Sequence, residues 1–86
     1  MQTEITINTQ NRTCFISAPV DCSLNASLFA DRLDKLPYLK VVERKYQYPN
    51  AKVYCHTIKG LFTIEKLHYD LDNQFYDIIL PSDDKN

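Results

Sequence analysis

Apolar and polar residues alternate in two runs near the start of the chain. In residues 3–9 two isoleucines share one face and polar residues occupy the other, which is the period of a half-buried strand. In residues 12–18 Phe15 faces away from its apolar neighbours, and Pro19 ends the run because proline donates no hydrogen bond to a ladder. The two runs predict an opening β-hairpin.

The period then changes to that of a helix over residues 24–36. Apolar residues recur at i, i+3, i+4 and i+7, and the resulting stripe consists of Ala26, Phe29, Ala30, Leu33 and Leu36. Pro37 stops the helix, because the residue before a proline leaves the α region. We expect this stripe to pack on one face of a sheet.

A second hairpin is predicted from residues 38–48 and 51–59, which read as strands around Pro49-Asn50. Proline suits the first central position of a turn and asparagine suits the second.

The last part of the chain allows two interpretations. Residues 61–69 and 74–80 are rich in aromatic and β-branched side chains and flank the turn-like residues 70–73, so we predict a third hairpin. The alternative is a helix over 63–72, which would give a ferredoxin-like βαββαβ core.

These elements predict one small α+β domain over residues 1–81, followed by a solvated tail at 82–86. The order is ββαββββ, with one helix packed on one face of an antiparallel sheet. The other face is expected to be wet or bound to a partner.

The composition of the chain excludes several classes of protein. The single glycine excludes glycine-rich nucleotide-binding loops. The N-terminus lacks the features of a signal peptide, no apolar run is long enough to span a membrane, and the number of cysteines is odd. We therefore expect a reduced, cytoplasmic protein without a membrane partner or a cofactor.

Charge is unevenly distributed, although the net charge of the chain is −1. Residues 40–66 hold six basic and two acidic residues, and residues 67–86 hold five aspartates and one lysine. Such a chain can pair its charges internally or present one sign to a partner.

No catalytic or metal site is predicted. Cysteine and histidine show no close chelating pair, and Cys55 and His56 should face apart because they are neighbours on a strand. A Cys55–His68 dyad would be the basis of a thiol-dependent enzyme, but no oxyanion loop accompanies it. We therefore expect a protein that is not an enzyme.

The basic and aromatic side chains of residues 40–59 form a nucleic-acid-binding surface only in one hairpin register. A three-residue loop sets Tyr48 opposite Lys52, and the basic residues then share a face. A two-residue loop sets Tyr48 opposite Ala51, and the basic set splits because a one-residue slip exchanges the two faces.

The preferred hypothesis is a protein-interaction module of inhibitor, immunity or adaptor type, of the kind that phages and mobile elements encode. It would act by binding and blocking a partner protein. Nucleic-acid binding by residues 40–59 is the alternative, and an exposed edge strand offers a route to a homodimer. The candidate contact residues are Arg44, Lys45, Tyr46, Tyr48, Lys52, Tyr54, Tyr69, Asp70, Asp72 and Tyr76.

Overall fold

The protein is a small α+β domain built on one four-stranded antiparallel sheet, as the sequence predicts. A computed structural model describes residues 3–80, and the predicted tail at 82–86 lies outside the described residues. The elements are β1 (Glu4–Asn8), β2 (Thr13–Pro19), α1 (Ser23–Asp34), β3 (Leu39–Gln47), β4 (Asn50–Thr57) and α2 (Ile64–Gln74). The strands are arranged β1-β2-β4-β3, so the two hairpins meet along β2 and β4.

The predicted third hairpin is wrong, because residues 64–74 form α2 and residues 75–80 form an irregular segment. Thr63 caps the helix by accepting a hydrogen bond from the Lys66 amide (3.2 Å). The order is therefore ββαββα. The alternative prediction of a second helix is confirmed, but its ferredoxin-like βαββαβ order is not found.

Both helices cover the same face of the sheet. The core-facing strand residues form one buried cluster with Phe29 and Leu33 of α1 and with Leu67 and Leu71 of α2. Phe75, just after α2, contacts the ring of Phe29 edge-on with centroids 5.5 Å apart. No helix of the described part of the chain packs on the opposite face of the sheet, where Ser17 and Pro19 at the end of β2 are buried and the rows from Phe15 to Thr13 are more open.

Polar contacts also fix the end of α2 to α1. Arg32 of α1 donates from both terminal nitrogens to the carboxylate of Asp77 (both 2.8 Å) and from one of them to the Gln74 carbonyl (2.6 Å). The guanidinium holds the pKa of Asp77 below its usual value. Among the described residues, no helix is long and apolar enough to cross a membrane.

Both predicted registers of the second hairpin are wrong. Gln47 pairs with Asn50, so the turn consists of Tyr48 and Pro49, joined by a cis peptide bond. Ala51 therefore pairs with Tyr46, two residues away from Tyr48, its partner in the predicted two-residue loop. Because this displacement is even, each side chain near the turn lies on the same face of the sheet as in that prediction. A bulge at Val42 then shifts the pairing by one residue along the rest of β3.

Candidate functional interface on the open sheet face

The uncovered side of the sheet, which we call the open face, has two aromatic rings at its centre. Phe15 of β2 lies directly opposite Tyr54 of β4, with ring centroids 4.5 Å apart and planes inclined by 36°. Thr6 and Glu43 complete this row across the four strands. Phe15 is half-buried and Tyr54 is 40% exposed, so both rings remain accessible from the solvent side.

Cationic side chains lie on both sides of the aromatic pair. Lys45 pairs with Lys52 in the row toward the hairpin turn, and Lys40 pairs with His56 in the opposite direction along the strands. Within residues 3–80 none of these three lysines forms an ion pair. The acidic residues on the same face are Glu4 and Glu43. The open face thus combines stackable rings with unpaired positive charge.

A shallow depression of about 380 Å³ adjoins the aromatic pair. Its lining includes both rings, Thr13, His56 and the bulge residue Val42, whose side chain is half-exposed. A volume of this size lies in the usual range for ligand sites, roughly 300–1,000 Å³.

The predicted contact residues of the second hairpin do not form one surface. Lys45, Lys52 and Tyr54 lie on the open face, but Arg44 and Tyr46 pair with residues that point into the core. The Arg44 guanidinium is 2.6 Å from the Asp31 carboxylate of α1. Tyr48 is exposed at the tip of the turn.

The remaining candidates lie on or just after α2, on the other side of the molecule from the open face. Tyr69 and Tyr76 are 66% and 77% exposed, and Asp72 is also exposed. Asp70 differs, because its carboxylate accepts hydrogen bonds from the Tyr38 hydroxyl (2.5 Å) and the Gln74 amide (3.0 Å). Asp70 therefore has a structural role, and the other three are individually exposed.

The cysteines are arranged as small apolar residues of the core. Cys14 and Cys55 are direct cross-strand partners on the covered face, and both are buried with free thiols. Burial raises the pKa of Cys14 to about 11 and that of Cys55 to about 12, so both remain protonated at neutral pH. The prediction that Cys55 and His56 face apart is confirmed, and His68 is exposed on α2.

Phe15 was not among the predicted site residues. Its signal is its place in the alternation, because a large aromatic ring falls on the polar face of the first hairpin between Cys14 and Ile16. In residues 3–80, no group of three or more histidine, cysteine or acidic side chains is arranged to hold a metal ion.

Comparison of this chain with protein-family models, with curated proteins and with solved structures finds no match.

Proposed function

We propose that this protein is a non-enzymatic binding module that takes single-stranded nucleic acid on its open face. The observation that carries the proposal is the Phe15–Tyr54 pair, which lies at the centre of an uncovered antiparallel sheet between unpaired lysines. Single-stranded nucleic acids bind to such surfaces because unstacked bases lie on aromatic rings while lysines meet the phosphates.

The net charge of −1 does not argue against this function. The lysines of the open face lie on β3 and β4, whereas Asp70 and Asp72 lie on α2, which covers the opposite side of the sheet. Charges that are spatially separated in this way can steer a polyanion toward one face.

The first test removes the stacking rings. Fluorescence anisotropy with a labelled single strand of about 12 nucleotides, within the known site sizes of small single-strand binders, should show binding at low salt. Tyr54→Ala should weaken binding by about 1–3 kcal/mol, and Tyr54→Phe should retain it because the ring remains. Tyr69→Ala removes a more exposed tyrosine, on α2 and away from the open face, and serves as the control. The proposal fails if the wild-type protein binds neither DNA nor RNA strands.

The second test measures phosphate contacts through their salt dependence. Each lysine that neutralises a phosphate should contribute about 0.7 to the slope of log K against log salt for a single strand. We expect Lys45→Ala and Lys52→Ala each to flatten the slope by about that amount. Lys35→Ala at the end of α1 should leave it unchanged.

A second candidate function is the blocking of a partner protein by the surface of α2. The exposures of Tyr69 and Tyr76 support it, since tyrosines are enriched among residues that dominate protein interfaces. A groove of about 700 Å³ beside Tyr69 adds a concave contact area. The neighbouring Asp72 would favour a basic partner surface.

The two candidates predict opposite mutational patterns. A partner protein held by α2 should be lost with Tyr69→Ala and Tyr76→Ala and retained with Tyr54→Ala and Lys52→Ala. The reverse pattern would place the partner on the open face. A homodimer through an edge strand stays a prediction, and β1 is its better edge because the bulge and charges of β3 discourage pairing.

A further inference from the structure

A pocket with a concentrated positive charge lies at one end of the open face. The cavity is about 420 Å³, and its lining comprises Asn11, Arg12, Lys40, His56, Thr57, Ile58 and Lys59. We call it the basic pocket. Four of the seven lining residues carry cationic or titratable nitrogen groups, and none carries a carboxylate.

Three separate parts of the chain are held together to form the basic pocket. Arg12 lies in the turn between β1 and β2 with a left-handed backbone (φ 53°), and its carbonyl accepts a hydrogen bond from the Thr57 amide (2.9 Å). Lys40 on β3 pairs with His56 on β4, and the Ile58 amide donates to the Tyr38 carbonyl (3.0 Å). The backbone framework of the pocket is therefore fixed before any ligand binds.

The charge of the basic pocket is not neutralised by its surroundings. In the part of the chain that the structure describes, Arg12, Lys40 and Lys59 form no ion pair, whereas Arg32 and Arg44 each have a carboxylate partner. Like charges around one cavity repel each other, so an anion that enters the cavity relieves that repulsion. A phosphate monoester carries a charge of about −1.5 to −2 at neutral pH, which exceeds the single charge of an internal phosphodiester.

The basic pocket adjoins the aromatic depression, because His56 lines both cavities. We infer that the basic pocket binds the terminal phosphate of a single strand whose neighbouring bases stack on Phe15 and Tyr54. This inference rests on the proposed function of the open face and adds a specificity for one kind of strand end.

The direct test compares three oligonucleotides of the same sequence that carry a 5′-phosphate, a 3′-phosphate or hydroxyl groups at both ends. One phosphorylated form should bind about tenfold more tightly than the hydroxyl form, as expected for charge-assisted hydrogen bonds. Arg12→Ala and Lys59→Ala should abolish this preference and change the affinity for the hydroxyl form by no more than about twofold. Lys35→Ala should preserve the preference. Equal affinities for all three strands would overturn the inference.

An NMR titration separates failure of the basic pocket from failure of the open face. Adenosine monophosphate should shift the amide signals of Arg12, Thr57 and Lys59, adenosine should not, and Arg12→Ala should remove the shifts. If no oligonucleotide binds but these shifts occur, the proposed function fails and the phosphate site stands. If strands bind and these amides do not respond to the monophosphate, the proposed function stands and the phosphate site is refuted.

Discussion

Leu71→Ala is the substitution that best tests how the last part of the chain folds. The side chain of Leu71 is 3% exposed and lies on the inner side of α2, in the same buried cluster as Leu67. In the hairpin interpretation residue 71 belongs to an exposed turn, where truncation should cost little. The two arrangements therefore predict very different losses of stability.

The expected loss follows from the burial of the side chain. Truncation to alanine removes an isopropyl group, and at about 0.8 kcal/mol per buried carbon the transfer contribution is roughly 2.4 kcal/mol. The cavity that remains adds to this value, so we expect about 3 kcal/mol, within the range of about 2–5 kcal/mol for such substitutions. A domain of this size has a free energy of unfolding on the order of 4–13 kcal/mol. The variant should therefore fold, with a visibly lower midpoint.

Urea unfolding followed by circular dichroism measures the loss. With a slope near 1 kcal/mol per molar urea, which is the lower end for small proteins, the midpoint should fall by about 3 M. Asp72→Ala is the matched control, because Asp72 is exposed on the same helix and should change stability by less than about 0.5 kcal/mol. Equal midpoints for the two variants would refute the packing of α2 described above.

Three further predictions concern thiols, capping and pH. Iodoacetamide should modify exposed Cys22 in the native protein and react with Cys14 and Cys55 only in urea, because both are buried and have raised pKa values. Mass spectrometry counts the modified cysteines, and modification of all three in the native protein would contradict the burial of Cys14 and Cys55. Cys22 is the N-cap of α1 and makes no side-chain cap hydrogen bond, so Cys22→Asp should raise the free energy of unfolding by about 1 kcal/mol; an unchanged urea midpoint would count against this capping geometry. The pKa of Asp77, followed by NMR, should lie below its ordinary value and return toward it in Arg32→Gln. Since the lowered pKa belongs to the folded state, the stability that this pair contributes should be present above about pH 4 and lost as the pH falls through the folded pKa. If the pKa of Asp77 is the same in the wild-type protein and in Arg32→Gln, the Arg32 contact is not the cause of the lowered value.

The first hairpin and α1 were predictable because each has a single unambiguous period. Strand alternation over 3–9 and 12–18 has no competing helical pattern. Pro37 limits α1 independently of its apolar stripe, although the helix ends at Asp34, two residues before the end of the predicted range 24–36. In these segments local preference and tertiary packing agree.

The sequence of residues 61–80 predicts the wrong structure because its composition favours strands while its cap favours a helix. Thr63 followed by Ile64 and Glu65 is an N-cap pattern, but the aromatic and β-branched residues around it favour a strand. Phe75, Ile78 and Ile79 of the predicted strand are buried, yet they lie in an irregular segment. Burial alone therefore cannot identify the secondary structure of a short apolar run.

The basic pocket was beyond sequence-based prediction for a different reason. Arg12 and Lys59 are 47 positions apart by their residue numbers. They line the same pocket because β2 pairs with β4 as well as with β1. Nothing in the local composition of either residue indicates this pairing.

The bulge at Val42 has the largest consequence for function, and the sequence contains a trace of it. Leu39 and Val41 face the core at odd positions, whereas Tyr46 does so at an even position, so the alternation changes phase between them. Without the extra residue, Lys40 would point toward the core and the basic pocket would lose one of its cations. With it, Lys40 joins the open face while Arg44 remains beside α1, paired with Asp31. One inserted residue in an edge strand thus decides which cations of the hairpin are free to meet a ligand and which one is neutralised within the fold.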